Sequence, residues 1–299
     1  MPELCEPCGS CSISGKKVIV EKLTADLDRL MEQGAYADAY PVALRILEEA
    51  EALYGTQSAD YASVLNDVAS VERYLGRYGE AEDRFRAAAR ILRETRGELD
   101  SEYATTLNNL AGLHRLTGEL EAAEAEFNDA LRIYRRTLSA SDWRTISCHN
   151  NLGLLYQDQG RFEEAMACHV EALQLLQGDD APEDLSAVAT TLMNGAICAS
   201  KMGDAEEAEA LFDYAMGLLE QIHGRRSAAF AGALNNVAAF RVSQGDAAGA
   251  VALLEESLET SGALFGRDSA AYRLVQGNLE RARVQVTSPE TGDAPRAQV

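Results

Sequence analysis

The sequence predicts an all-α solenoid of about six helical hairpins followed by a C-terminal capping helix. Its main support is an apolar motif around paired asparagines that starts at residues 65, 107, 149, 192 and 234. The successive spacings are therefore 42, 42, 43 and 42 residues. A fixed period of this length is typical of stacked repeats, because one hairpin cannot bury its apolar face alone. The alternative is an ordinary helical bundle with accidental self-similarity.

Each unit is predicted to consist of a helix, a tight turn and a second helix. A glycine marks the turn between two apolar-periodic segments, where a helix end favours a residue that tolerates positive φ. One period before the first motif lies Leu23, and one period after the last lies Gln276, which starts a terminal half unit. The turn glycines are Gly34, Gly76, Gly118, Gly160, Gly203 and Gly245.

Small and large residues recur at fixed positions within the units. We expect alanines where two helices approach closely and phenylalanines in the space beside them. The alanines are Ala81, Ala123, Ala165 and Ala208, then Ala88, Ala130, Ala172 and Ala215, and the phenylalanines are Phe85, Phe127 and Phe212. This pattern predicts one continuous core along the stacked hairpins.

The composition indicates an acidic globular protein. Of the 299 residues, 46% are hydrophobic, and 27 Lys+Arg against 48 Asp+Glu give a formal net charge of −21. This charge repels phosphate backbones and anionic lipids, so nucleic acids and membranes are disfavoured as partners. No apolar run approaches the roughly 18 residues of a membrane helix, and the first residues lack the pattern of a secretion signal. With six cysteines, such a chain is expected in the reducing cytoplasm.

The two ends of the chain do not follow the repeats. Residues 1–20 are predicted to form a flexible tail, residues 21–286 the solenoid and residues 287–299 a disordered tail. Cys5, Cys8 and Cys11 form a C-x₂-C-x₂-C run that can bind zinc or an iron–sulfur cluster, although the sequence offers no fourth ligand. Incidental thiols and a redox-active or modified tail are the alternatives. No other cofactor is predicted.

The segment "NLAGLHRLTGELEAAEAEFNDAL" resembles the tetratricopeptide repeat, with the turn glycine, alanine, aromatic residue and second alanine of that repeat in order. The 42-residue spacing, with "TLNNLAGLHRLTG" and "LFGRDSAAYRLVQGNL", is similar to the kinesin light chain variety. The resemblance covers about residues 21 to 286. It implies a right-handed superhelical solenoid of tetratricopeptide-type hairpins, whose first helices line a concave groove that binds proteins or peptides.

The paired asparagines form two columns along this expected groove. The second residues of the pairs are Asp67, Asn109, Asn151, Asn194, Asn236 and Asn278, and the first are Asn66, Asn108, Asn150, Met193, Asn235 and Gly277. A side-chain amide offers one acceptor and two donors, so it can hold the C=O and N–H of an extended peptide whatever its side chains. The resemblance implies this role for the asparagines. The alternative is that the amides cap or cross-link neighbouring helices.

Two arginines one period apart, Arg73 and Arg115, are candidates for binding a ligand carboxylate. The alternative is a pair of solvated charges on a helix edge. The full set of candidate peptide-binding residues is Asn66, Asn108, Asn109, Asn150, Asn151, Asn194, Asn235, Asn236, Arg73 and Arg115.

The sequence contains no HExxH, GxSxG or Rossmann glycine pattern, so no enzymatic activity is expected. The histidines are predicted to be packing residues, and a Cys148–His149 nucleophile pair is the alternative; the four histidines are His114, His149, His169 and His223. We therefore expect a non-catalytic scaffold or adaptor that binds proteins or peptides. Two alternatives stay open: an accessory factor for a metal or redox enzyme that uses the cysteine tail, and a signal-peptide receptor.

Overall fold

Helices dominate the part of the chain that the structure describes. The computed structural model describes residues 9–178 and 184–287, without the side chains of residues 9–15 and 32. These residues form thirteen α-helices and no strand, so the predicted all-α class is confirmed. The helices are α1 (Gly9–Glu32), α2 (Tyr36–Tyr54), α3 (Ala59–Tyr74), α4 (Tyr78–Arg96), α5 (Ser101–Thr117), α6 (Leu120–Thr137), α7 (Trp143–Asp158), α8 (Phe162–Leu176), α9 (Leu185–Met202), α10 (Ala205–His223), α11 (Ala228–Ser243), α12 (Ala247–Phe265) and α13 (Ala270–Thr287).

The helices divide into two compact units, Met1–Leu155 and Tyr156–Val299. In the first unit, α1 packs with α2, α3 with α4 and α5 with α6, so consecutive helices form hairpins. Neighbouring hairpins stack through contacts of α2 with α3 and of α4 with α5. In the second unit, α9–α10 and α11–α12 form hairpins, α8 packs on α9, and α13 packs on α12. Each unit is therefore a stack of helical hairpins.

Glycines end helices at two points of the repeat. All six predicted turn glycines have positive φ, from 67° at Gly34 to 86° at Gly118 and Gly203. A second series, which the sequence analysis did not identify, lies between hairpins: Gly55, Gly97, Gly224 and Gly266 also have positive φ. Three residues after each of these glycines, a Ser or Asp side chain accepts a hydrogen bond from a backbone N–H of the next helix; these caps are Ser58, Asp100, Ser227 and Ser269.

The repeated alanines and phenylalanines lie in the core as predicted. Ala81 and Ala123 are fully buried, as are Phe85 and Phe127 beside them. The same holds in the second unit, where Phe212 is 2% exposed and the alanines Ala165, Ala172, Ala208 and Ala215 are 0% exposed. The alanines allow the helices to approach, and the phenylalanine rings fill the space that results.

Two expectations differ from the structure. Helix α1 begins at Gly9, so residues 9–20 are helical, whereas the repeats placed the first ordered residue at 21. Val20, the last residue of this segment, packs with Leu27 in one cluster with alanines of α2. The histidine prediction is wrong for His223, which is exposed at the end of α10. His114, His149 and His169 are buried.

The last helix, α13, covers the apolar face of the hairpin before it. Leu279 is 4% exposed and packs with Val275, Ala238 and Leu254 in one cluster, whereas Leu274 on the opposite face is 60% exposed. End elements of this kind shield the core of a repeat protein. Among the described residues, no helix is long and apolar enough to cross a membrane.

Leu279→Ala should destabilise the protein, because it opens a cavity between α13 and the hairpin that it covers. The expected loss is about 2–5 kcal/mol in the free energy of unfolding of this region. Leu274→Ala in the same helix is the matched control and should change it by less than about 0.5 kcal/mol. Urea unfolding followed by circular dichroism measures both. Equal midpoints for the two variants would contradict the capping role of α13.

Candidate functional site

The paired asparagines bond to one another between neighbouring hairpins. Asn109 Nδ2 on α5 donates to Asn66 Oδ1 on α3 over 3.1 Å, and Asn151 Nδ2 on α7 donates to Asn108 Oδ1 on α5 over 3.3 Å. The second asparagine of one pair therefore meets the first asparagine of the preceding pair, 43 residues earlier. We call these two bonds the asparagine ladder of the first unit.

The second unit contains a further bond of the same kind. Asn278 Nδ2 donates to Asn235 Oδ1 over 2.6 Å, and Arg281 donates to Asn278 Oδ1. Asn236 has no such partner, because the residue 43 positions before it is Met193. The amides thus cross-link neighbouring hairpins at three described pairs, which is one of the two roles expected from the sequence. Contact with a peptide backbone stays a prediction.

The asparagine ladder lies at a cavity of about 460 Å³ in the first unit. The cavity is formed by α3, α5 and α7, the first helices of consecutive hairpins, together with Tyr134 of α6. A side-chain amide can make more bonds than the single one that the ladder uses, so capacity remains for a ligand. The lining residues are Asn66, Asp67, Ser70, Arg73, Tyr74, Thr105, Asn108, Asn109, Tyr134, Trp143, Arg144, Ser147 and Asn151.

Arg73 lines this cavity and contributes a positive charge to it. Its guanidinium lies 4.9 Å from the centre of the Tyr74 ring, and its Nε is buried without a hydrogen-bond partner. The guanidinium also lies against Gly112, where an added Cβ would come within 3.0 Å of Nη1. Because Gly112 has no side chain, the guanidinium of Arg73 can occupy this position. Arg115, its expected companion, is not among the residues that line the cavity.

The second cation of the cavity is Arg144, which the sequence analysis missed. Its Nε and Nη2 donate to Asp142 over 2.9 and 2.8 Å, and this carboxylate fixes the direction of the guanidinium. The Asp142 bond also raises the pKa of Arg144, so the group stays charged. Arg144 lies in the first turn of α7. The equivalent residue one period earlier is Glu102, so comparing the repeats did not identify Arg144 as a candidate.

Two aromatic side chains are exposed at the same cavity. Trp143 is 65% exposed and Tyr74 is 51% exposed, although large aromatic side chains usually lie mostly buried. The Tyr74 ring stacks on Tyr36 with centroids 4.4 Å apart and planes 3° from parallel, so its orientation is fixed. Exposed aromatic residues beside polar groups are typical of protein interaction sites.

Asp67 is the acidic member of the cavity. The residue as a whole is exposed, while its carboxyl lies among the other side chains that line the cavity. Desolvation raises its pKa to about 7, and the nearby carboxylates of Asp28 and Glu102 add to the increase. Near neutral pH the negative charge is therefore partly lost.

The other candidate residues lie outside this cavity. Asn150 and Asn194 are partly buried, and the backbone C=O of Asn194 accepts a hydrogen bond from Gln157 Nε2 over 3.1 Å. Asn235 lines a separate cavity of about 220 Å³ with the apolar side chains of Val242 and Leu254. The structure therefore brings together only the candidates Asn66, Asn108, Asn109, Asn151 and Arg73.

The predicted cysteine site cannot be placed in the described structure. Cys5 and Cys8 lie outside the described residues, and Cys11 lies in α1 where side chains are not described. The remaining cysteines, Cys148, Cys168 and Cys198, are buried and form no disulfide. Metal binding by the N-terminal run stays a prediction.

Stacked hairpins of about 42 residues around a polar cavity define a helical-repeat protein. Models of the tetratricopeptide repeat match residues 30–94, 102–178 and 230–271. The chain belongs to the tetratricopeptide repeat family, as its sequence resemblance indicated. A comparison with curated protein sequences found no match.

Solved structures share this fold. BtubC (BKLC) from P. vanneervenii has a TM-score of 0.60 and 24% identity over 72% of this chain and 89% of its own. A putative kinesin light chain with nearly identical TPR-like repeats from Podosopora anserina has a TM-score of 0.57 and 15% identity, covering 70% and 98%. The apo form of the quorum sensor NprR from B. thuringiensis has a TM-score of 0.63 and 14% identity, covering 93% and 72%.

Asn109→Ala should lower the stability of the protein, because it leaves Asn66 Oδ1 without its ladder partner. The expected cost is about 1 kcal/mol in the free energy of unfolding, on the scale of one hydrogen bond lost at a partly buried site. Asn236→Ala removes an asparagine from the same motif position but no ladder bond, and should cost clearly less. The measurement is the thermal midpoint of each variant; equal shifts would show that the ladder bond does not stabilise the stack.

Asp67→Asn should raise the melting temperature above neutral pH. Between the ordinary pKa of an aspartate and about 7, the folded protein binds a proton that the unfolded chain has lost. This stabilisation disappears as the pH rises through about 7, where the folded state must carry the charge. The gain of the variant should therefore be largest near pH ~8 and vanish near pH ~4. Asp60→Asn, a change in the same helix at a residue that does not line the cavity, is the control; a gain independent of pH would contradict the raised pKa.

Proposed function

We propose that this protein is a non-catalytic scaffold or adaptor, and that the 460 Å³ cavity of α3, α5 and α7 binds an extended peptide of a partner protein. The observation that carries the proposal is the asparagine ladder at this cavity with two arginines beside it. Repeat solenoids present such surfaces for binding extended ligands. The tetratricopeptide family, whose members generally act without catalysis, supports the same conclusion.

The amides supply contacts that do not depend on the peptide's sequence. Because the ladder bonds already fix the direction of Asn66, Asn109 and Asn151, a ligand need not order these side chains. Preorganised groups lose less conformational entropy on binding. Their remaining donors and acceptors suit the alternating C=O and N–H groups of an extended chain.

The charged and aromatic groups supply selectivity. Arg73 and Arg144 place two guanidinium groups at the cavity. Arg144 is paired with Asp142, and Asp67, the carboxylate that lines the cavity, has a pKa raised to about 7. This arrangement favours a peptide that carries carboxylates, either acidic side chains or its C-terminus. Trp143 and Tyr74 offer apolar surface for a neighbouring peptide side chain.

The two other functions considered from the sequence have less support. An accessory factor for a metal or redox enzyme would depend on Cys5, Cys8 and Cys11, which the described structure does not place. The signal-peptide receptor is compatible with the fold shared with the quorum sensor NprR, but 14% identity carries the fold alone. Both therefore stay secondary to the peptide-binding scaffold.

Trp143 allows the proposal to be tested directly, because it is the single tryptophan of the chain and lies at the cavity. Peptides selected by the full-length protein from a random display library should be enriched in carboxylates. The synthetic peptides should change the emission of Trp143 on titration. Arg73→Gln should weaken their binding about tenfold or more, as expected for a lost charged hydrogen bond.

Arg115→Gln is the matched control, since Arg115 holds the same position of the next hairpin but does not line the cavity. It should leave the affinity unchanged. Amidation of a selected peptide's C-terminus separates binding of the terminal carboxylate from binding of acidic side chains. If no selected peptide perturbs Trp143, or if Arg73→Gln and Arg115→Gln behave alike, the cavity is not the binding site.

A further inference from the structure

Three potential metal ligands lie close together in the first unit. They are Glu82 of α4, His114 of α5 and Glu119 at the start of α6, and one ligand atom from each lies within 4.8 Å of the others. None of these residues lines the peptide-binding cavity. The cluster is therefore separate from the proposed function and needs its own explanation.

The orientation of His114 points to a ligand. The residue is 2% exposed, and its Nδ1 lies 2.7 Å from Glu126 Oε2. Its Nε2 is buried and has no hydrogen-bond partner, and Glu82 Oε1 lies 3.7 Å away. A histidine that donates Nδ1–H to a carboxylate and directs a free Nε2 at further ligands has the arrangement of a metal-binding imidazole.

In the preceding hairpin, the residues at the equivalent positions bond to one another. One period earlier, Glu72 stands in place of His114 and Arg84 in place of Glu126, while Tyr40 and Arg77 stand in place of Glu82 and Glu119. Arg84 Nε lies 2.9 Å from both carboxylate oxygens of Glu72. Arg77 Nη1 donates to the Tyr40 hydroxyl over 2.8 Å, so both arginines of this network have hydrogen-bond partners.

In the His114 hairpin, three carboxylates replace the two arginines and the tyrosine of that network. Glu82 pairs with Arg86, whose Nη2 lies 2.6 Å from Glu82 Oε1, and Arg86 is 59% exposed. An exposed ion pair of this kind contributes little and is easily rearranged. Carboxylates grouped around an imidazole nitrogen that has no hydrogen-bond partner favour the addition of a cation.

We propose that Glu82, His114 and Glu119 bind a divalent transition-metal ion of the zinc type, with Glu126 positioning the imidazole. One imidazole nitrogen and two carboxylate oxygens form a donor set that suits Zn²⁺, whereas Mg²⁺ and Ca²⁺ prefer oxygen ligands alone. Three protein ligands leave a coordination position for water or for a side chain of a partner. The ion joins α4, α5 and α6 and thereby stabilises their packing.

The test uses the full chain with Cys5, Cys8 and Cys11 changed to serine, so that the N-terminal run cannot contribute. Equilibrium dialysis against Zn²⁺ alone should give one bound ion per chain. Glu119→Gln should weaken Zn²⁺ binding roughly tenfold or more, the scale for loss of a group from a metal site. The side chain of Glu119 makes no cap bond to α6, so this variant should fold normally.

Glu121→Gln is the matched control, because it removes an exposed carboxylate two residues away that is not in the cluster. It should bind Zn²⁺ as the parent does. Zn²⁺ should also raise the melting temperature of the parent and of Glu121→Gln, but not that of Glu119→Gln. The proposal is overturned if the serine-substituted chain binds no Zn²⁺, or if Glu119→Gln and Glu121→Gln bind it equally.

Discussion

The close approach of helices at the fully buried alanines is the constraint on which the rest of the structure depends. Ala81, Ala123 and their equivalents are fully buried, so a larger side chain there would force the packed helices apart. Ala81 packs in one cluster with Ala69 of α3 and Leu110 of α5, so its small size permits the close approach of these helices, which also stack with an offset along their axes. The offset brings each residue of one first helix next to the residue 43 positions later, not 42, as the bonds Asn109–Asn66 and Asn151–Asn108 show.

The same constraint explains why differences between hairpins are chemically informative. Because the frame repeats, a position that differs between hairpins is placed in the same surroundings with a different side chain. Glu72 and His114 occupy equivalent positions. The former is neutralised by Arg84, whereas the latter has Glu126 on one nitrogen and no hydrogen-bond partner on the other. Asp67 likewise stands where the following hairpins have asparagine, and its pKa is raised.

The fold was largely accessible from the sequence. The sequence itself shows the repeat period, the turn glycines and the recurring alanines and phenylalanines. These residues have the predicted structural roles, such as positive φ at Gly118 and full burial at Phe127. The start of α1 was placed too late because its first turns carry no repeat motif. The prediction for His223 failed because a lone histidine has no periodic partner that indicates burial.

The candidate site was accessible only in part. The asparagine columns could be read from the period, but the pairing of one column with the other depends on the offset between stacked helices, which a period does not contain. Trp143 and Arg144 lie at the start of α7 without equivalents in other hairpins, so column analysis could not detect them. Their place in the cavity follows from packing between hairpins, a property of the folded chain.

The net charge of −21 and the two arginines of the cavity act over different distances. At physiological ionic strength, charges separated by more than about 8 Å are largely screened, so most surface carboxylates affect a ligand mainly during approach. A peptide carboxylate bound in the cavity would touch Arg73 or Arg144 directly, and salt would screen such a contact only weakly. An acidic protein can therefore bind a carboxylate-bearing peptide, provided that the local carboxylate is neutralised. The raised pKa of Asp67 reduces its opposing charge near neutral pH, so the cavity is less acidic than the protein around it.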